Sequence, residues 1–411
     1  MIYKKINNCR ICKSKKISKV LDLGDQALTG KFPLLKNKNV LKTPLAISLC
    51  KNCNFVQLSH NFNNTHLYNM DYGYESGINS TMKKHLLDIV KKVQKFKKLT
   101  NNNIVMDIAS NDGTLLNSYD RNIIKIGVDP ILNKFKKNYK NIKYKIGDFF
   151  SYSNFKKLNI KRKVDVITAF AVFYDVENPN SFLQDIKKIL DKDGIFIMEQ
   201  SNLAYMIKLN SFDTICQEHL GYYSTIVLKN MLEVNGLKIF DHQYNDSNGG
   251  SSRYFIKHQE NKKISVNNKN ISKALKFESK YKLKDIKTYI KFEKKIKEIK
   301  STTLNVFKKI LSQNKVIHGY GASTKGNVIL QYFNLNNKQI DYISDRNPAK
   351  CNRFTPGTKI KIISESKSRK IKPDFYFVLP WHFKKEILTR EEKIRKKGTK
   401  FIFPLPKFQI I

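Results

Sequence analysis

Four cysteines fall in two Cys-x-x-Cys pairs, Cys9-Arg-Ile-Cys12 and Cys50-Lys-Asn-Cys53, about 37 residues apart. Each turn can offer two thiolates to one ion, and two turns complete a four-sulfur tetrahedron. Protein would then fill every position and leave none for water, so the expected zinc ion is structural. A redox role fits less well, because there are two pairs and neither opens a helix in a thioredoxin-like unit. Cys216 and Cys351 stand alone and read as ordinary small residues.

A second constellation begins at Ile104-Val-Met-Asp107-Ile-Ala109-Ser110-Asn111-Asp112-Gly113, which reads as strand, tight turn and helix start. An acidic residue is followed by small residues at alternate positions. Small residues let a cofactor approach the backbone, and Gly or Asn tolerates left-handed angles. The pattern carries only one glycine. The next strand ends about 20 positions on at Asp129-Pro130, where a carboxylate can accept from both hydroxyls of a ribose. Gly147-Asp148-Phe149 then offers a carboxylate for an adenine amino group and a ring for the base, and a fourth strand ends at Phe170-Ala171 on the donor side. Order and spacing together favour S-adenosylmethionine (SAM) over a nicotinamide cofactor or an empty nucleotide fold.

The third constellation is Phe212-Asp-Thr-Ile-Cys-Gln-Glu218-His219-Leu-Gly-Tyr222-Tyr-Ser. A Glu-His pair beside tyrosines, after the fifth strand of a parallel sheet, is a candidate for general acid–base work. Ser247-Asn-Gly-Gly-Ser-Ser-Arg253 reads as a Gly-rich loop ending in an arginine suited to an anion or a carbonyl. Gly321-Ala-Ser323-Thr-Lys325-Gly326 sits between strand and helix, where amide groups and Lys325 could hold a pyrophosphate. A turn that merely stabilises the fold is the alternative. Trp381-His382 could line the same cleft.

These residues need elements to hold them. Short apolar strands at 104–109, 125–128, 164–169 and 194–199 alternate with helical stretches, the rhythm of a parallel sheet covered on both faces. Strands at 316–320, 340–344, 375–379 and 401–403 restart it. The fold class is therefore α/β: a central Rossmann-like SAM sheet, a small N-terminal zinc module and a C-terminal Rossmann-like domain. The expected divisions are 1–65 (zinc module), 66–258 (SAM domain with a helical lead-in), 259–312 (Lys-rich helical connector) and 313–411 (C-terminal domain). No apolar run approaches the ~18–20 residues of a membrane span, and no signal peptide is visible, so a cytoplasmic protein is expected. The net charge of +43 comes from lysines spread along the whole chain and reads as compositional bias rather than a nucleic-acid surface.

The chain resembles the sugar C-methyltransferases that act on nucleotide-linked keto-deoxysugars. The resemblance runs nearly full length, through the cysteine pairs, Tyr72-Gly-Tyr74-Glu-Ser-Gly, Ser110-Asn-Asp-Gly-Thr-Leu-Leu, Val128-Asp-Pro, Gly147-Asp-Phe, Glu218-His219, Gly249-Gly-Ser and Gly319-Tyr-Gly-Ala-Ser-Thr-Lys-Gly. It implies structural zinc, SAM as methyl donor, and a small nucleotide-sugar acceptor deprotonated beside its ketone. It makes His219 the base and Glu218 its partner, and maps a tyrosine near the sugar to Tyr72 or Tyr74, with Tyr74 preferred; Tyr222 is expected to contact the sugar as well. Three positions depart from the family pattern: Cys216 stands for a tyrosine, Gln217 for a histidine, and Tyr174 for a second histidine after the fourth strand. The rival expectations are an RNA-modifying methyltransferase and a sugar-binding homologue without activity.

Overall fold

The computed structural model describes residues 3–63, 67–68, 75–78 and 80–411. Tyr72 and Tyr74 lie outside them. The N-terminal part contains β1 (Tyr3–Lys5), β2 (Ile17–Ala27), β3 (Lys42–Cys50), β4 (Val56–Leu58) and β5 (His60–Phe62). β2, β3 and β4 form an antiparallel meander, with the cysteine pairs at one end.

The central part contains β6 (Ile104–Ile108), β7 (Ile124–Val128), β8 (Tyr144–Ile146), β9 (Val164–Phe170), β10 (Leu190–Ser201), β11 (Gly221–Tyr222), β12 (Leu237–Asn245) and β13 (Ser251–His258). Seven of these make one sheet in the order β12-β13-β10-β9-β6-β7-β8. The strands from β10 to β8 run parallel, and their near-continuous apolar sequences match burial on both faces. β12 and β13 add an antiparallel pair beside β10, so the sheet is mixed rather than parallel throughout. A one-turn connection, Ser247–Gly249, is too short for the crossover that a parallel neighbour needs. Chain order reverses between β6 and β9, the crevice at which open α/β sheets take their ligands.

The C-terminal part contains β14 (Ile317–Tyr320), β15 (Tyr342–Asp345), β16 (Lys361–Ser364), β17 (Phe375–Val378), β18 (Lys400–Phe403) and β19 (Gln409–Ile410). Their order, β16-β15-β14-β17-β18-β19, is a second doubly wound sheet with its own reversal at β14/β17. The helix Ile286–Ser312 connects the two sheets. Its apolar stripe (Tyr289, Phe292, Ile296, Ile299, Phe307, Ile310) joins a core that also takes in the N-terminal meander and the C-terminal sheet. The Lys-rich face opposite stays in solvent. Among the described residues, no helix is long and apolar enough to cross a membrane.

β11 leaves the central sheet altogether. It pairs with β4, adding Gly221–Tyr222, just after Glu218 and His219, as a fourth strand to the N-terminal meander. The proposed reacting loop is thus built into the cysteine-bearing module.

Candidate active site

The two cysteine pairs close on one another. Cys9 Sγ lies 3.5 Å from Cys53 Sγ and Cys12 Sγ lies 3.6 Å from Cys50 Sγ, with all four sulfurs within 4.8 Å. A tetrahedron with zinc–sulfur bonds of ~2.3 Å has edges of about 3.8 Å, so the four thiols fit that ion. The two turns repeat one design. Lys13 (φ 58°) and Asn54 (φ 61°) are left-handed, and their amides donate to Cys9 and Cys50 carbonyls. Buried Arg10 ties the first turn to β4 and beyond through the Leu58 and His60 carbonyls.

At the carboxyl end of β6, Ala109 (φ 58°), Asn111 (φ 48°) and Gly113 (φ 74°) all take left-handed angles, and Ala171 (φ 52°) does so after β9. Two alanines at positive φ on neighbouring strand ends are strained positions, of the kind that cluster where a ligand meets the backbone. Asp129 Oδ2 accepts from the Asn111 amide at 2.8 Å, and Oδ1 from Ile131 at 2.8 Å, which fixes the carboxylate beside the turn. Each oxygen keeps a lone pair for a hydroxyl donor. Asp148 and Phe149 stand exposed past β8, with Phe149 40% accessible and edge-on to Tyr68. An exposed ring and carboxylate at this edge fit an adenine.

Other members of the turn hold it together. Ser110 Oγ bonds Tyr139 at 2.7 Å, and Thr168 donates to Asp107 at 2.6 Å. Burial pushes the Asp107 carboxyl up to about 7. Asn111 and Asp112 side chains accept from the amides of Ser76 and Gly77, fastening the lead-in segment over the turn. Pro130 follows Asp129 as the strand ends, and Phe170 closes β9.

The 212–224 loop carries the titratable cluster. The Thr214 carbonyl can only accept, so His219 Nδ1, 2.6 Å away, carries the proton. Nε2 is thereby left as the basic nitrogen. Tyr174 packs on the ring at a centroid distance of 4.2 Å. Burial, reinforced by the Lys325 ammonium, pushes His219 down to about 3. The ring borders a small recess with Tyr174, Ser201, Asn202 and Tyr222. Among the described residues, Ser201 Oγ and the Tyr222 hydroxyl there are buried without hydrogen-bond partners. Such groups are costly unless something polar meets them.

Glu218 lies buried, and burial lifts its carboxyl to about 7. Its Oε1 occupies the space of a missing side chain: a Cβ on Gly30 would sit 2.3 Å from it. The Gln217 departure is explained by packing. Its amide accepts from Thr29 Oγ1 at 3.0 Å and donates to the Gln26 carbonyl and Thr43, clipping the loop to the N-terminal sheet. Cys216 is fully buried in the core.

The C-terminal sheet supplies the opposite wall. Lys325, on the helix after β14, reaches the Asn248 carbonyl at 2.8 Å. Trp381 donates to buried Asp213 at 2.9 Å, while Asp213 Oδ1 and His382 Nδ1 have no partner. Ser323 caps the helix and, with Gly321 and Ala322, lines an open cleft whose walls carry Arg346, Lys350 and Arg390 alongside Asp345, Glu365 and Glu386. Arg253 is not brought to either cavity. It lies on β13, not in a loop, and is 2% exposed. Its Nε bonds Glu199 at 2.7 Å, and Glu199 also takes His85 at 2.6 Å. Burial would raise the Glu199 carboxyl, but His85 and Arg253 hold it below its ordinary value. Asp175, absent from the sequence expectations, lies one residue past Tyr174 with a buried, unpartnered Oδ1. A polar side chain just past the donor-side strand end was the signal available for it.

Comparison with known proteins agrees with this geometry. Residues 9–68 match the family described as "Putative zinc binding domain", 78–242 "Methyltransferase domain", and 246–406 "C-methyltransferase C-terminal domain". The three matches follow one another from residue 9 to residue 406, and the last is a C-methyltransferase domain. The chain is 24% identical over 419 residues to C-methyltransferase NovU of Streptomyces niveus, covering 100% of this chain and 98% of the relative. Among solved structures it is similar to a SAM-dependent methyltransferase from Clostridium acetobutylicum (TM-score 0.35, 16% identity, 43% of this chain and 92% of that one). It is also similar to magnesium protoporphyrin IX methyltransferase from Synechocystis (TM-score 0.33, 12% identity, 45% and 90%). The protein is a SAM-dependent methyltransferase with a structural zinc site.

Proposed function

We propose that the acceptor is the keto-deoxysugar of a nucleoside diphosphate, methylated on the carbon beside its ketone. The observation that carries this reading is His219, with Nδ1 tied to the Thr214 carbonyl and the ring at a small recess shared with Ser201, Asn202 and Tyr222. A base so placed suits removal of a carbon-bound proton. Asp129, Asp148, Phe149 and the 109–113 turn would hold SAM, which when bound supplies an electrophilic methyl group.

Each remaining role falls to a residue of the chain. His219 Nε2 takes the proton, while Nδ1 stays anchored on Thr214. Ser201 and Tyr222 hydroxyls meet the sugar's polar groups. Lys325 and the Ser323 amide meet the diphosphate, with Lys350, Arg346 and Arg390 along the larger cleft for the nucleotide. An anion beside Lys325 also offsets the cationic field that depresses His219, so acceptor binding strengthens the base. Tyr74 and Tyr72, which lie outside the described residues, keep their sequence-based roles at the sugar. Arg253 is better read as fastening the helix Ser80–Phe96 to the sheet through Glu199 and Asp88. The reading places the reaction in the cytoplasm.

The test is transfer from labelled SAM to a panel of dTDP-, GDP- and CDP-linked keto sugars, with tRNA and rRNA as competitors. Methylation of a keto sugar supports the proposal. Transfer to RNA and to no sugar would reject it.

A further inference from the structure

After β9 the chain passes Ala171 into one turn of 3-10 helix, Phe173–Asp175. Tyr174 in that turn meets the His219 ring, and Asp175 follows. The Asp175 carboxyl is held on one side only. Its Oδ2 accepts from the Tyr68 hydroxyl at 2.8 Å, while its Oδ1 is shut away from solvent with no partner among the described residues.

Burial is the strongest influence on this carboxyl and favours the uncharged form, against which the Tyr68 hydrogen bond works. The charged group acting on it is Glu218, of the same sign, and among the described residues no cation pairs with it. Asp175 in turn helps push the Cys216 thiol and the Tyr222 phenol up, which sets it beside the reacting loop and the wall of the recess. Burial and Glu218 both favour the uncharged acid. A neutral carboxyl carries one O–H. Tyr68 donates to Oδ2, so the proton resides on Oδ1, where no described residue receives it.

We infer that Asp175 is a further catalytic residue, whose Oδ1–H donates a hydrogen bond to the acceptor's carbonyl oxygen while His219 removes the neighbouring proton. The inference rests on the acceptor reading above. As the C–H bond breaks, its proton goes to His219 Nε2 and its electron pair forms the carbon–carbon double bond. The carbonyl π pair moves onto oxygen, and the Asp175 O–H stabilises that oxyanion without transferring its proton. The carbonyl re-forms when the carbon bonds the methyl group. A buried, preorganised donor at the point where charge develops is among the largest contributions an active site makes. An aspartic acid kept neutral by its surroundings can supply one. Tyr68, donating into Oδ2, withdraws electron density and makes Oδ1–H the better donor.

Two independent readouts test this. Infrared difference spectra of wild type against Asp175→Asn, in carbon-13 aspartate-labelled protein, should show a protonated-carboxyl band at neutral pH that the variant lacks. Lack of that band overturns the inference whatever the acceptor is. In methyl transfer, Asp175→Ala should lower kcat by ~100-fold, while Asp175→Asn, which keeps an N–H donor, should recover part of the loss. SAM affinity and melting temperature, measured on both variants, should stay near wild type. A folded Asp175→Ala enzyme with wild-type kcat would reject the role. Wild type that methylates no keto sugar would instead overturn the acceptor reading, and the oxyanion role with it.

Discussion

The two halves of the active site are built in opposite ways. The cofactor side is local: one turn, 109–113, and the ends of β7, β8 and β9 supply every expected contact from a single sheet. The acceptor side is assembled from three modules. His219 and Glu218 sit on a loop whose next strand belongs to the N-terminal sheet, Gly30 makes room for Glu218, and Lys325 and Trp381 arrive from the C-terminal sheet. A donor site made of one contiguous motif can be shared among many methyltransferases. An acceptor site spread over three modules can change with any of them.

This contrast yields graded expectations. The largest effect belongs to His219→Ala, which should lower kcat at least ~100-fold with SAM affinity unchanged by calorimetry. Weakened SAM binding would place His219 on the wrong side of the divide. Loss of the metal ligand in Cys50→Ser should abolish stoichiometric zinc and methyl transfer together, because Phe55 packs on Tyr223 at 4.8 Å and β4 carries the reacting loop. The central sheet should still bind SAM; equal loss of both functions would show that the two sides do not separate. Asp129→Ala should raise the SAM KM by ~10-fold or more through the lost ribose contacts, leaving the acceptor KM in place. Gly30→Ala should cost about tenfold in kcat/KM for the acceptor by displacing Glu218, and a melting curve should exclude unfolding as the cause.

The pH dependence sharpens the same division. His219 has its folded value lowered to about 3, so it stays neutral as pH falls through the ordinary imidazole value of 6.5. The acid limb of kcat/KM should therefore lack a break at 6.5 arising from His219. Glu218, lifted to about 7, titrates instead, and any limb near that pH should vanish in Glu218→Gln. A limb at 6.5 that persists in Glu218→Gln would contradict the burial of His219.

Legibility in the sequence followed the same line. The eight strands expected around the two nucleotide folds all form, because continuous apolar runs bounded by turn residues signal buried parallel strands. The left-handed turn at Ala109, Asn111 and Gly113 was readable because it depends on neighbours a few residues away, and the cysteine site because each pair carries its own spacing signal although the pairs lie far apart in the chain. The acceptor side was not. Gln217 read as a lost histidine, and its role as a clip needs Gln26, Thr29 and Thr43, some 170 to 190 residues distant. Arg253 read as the end of a ligand loop, while its partners Glu199 and Asp88 lie on other elements. Gly30 and Asp175 gave little local signal, because their meaning arises only when distant segments pack.

The account's central claim is that His219 deprotonates a carbon of the acceptor. Its most direct test is deuterium exchange from heavy water into a keto sugar nucleotide, followed by proton NMR with no SAM present. Wild type should wash deuterium into the position beside the ketone, and His219→Ala should not. Equal exchange by both enzymes, alongside methylation that depends on SAM, would contradict it.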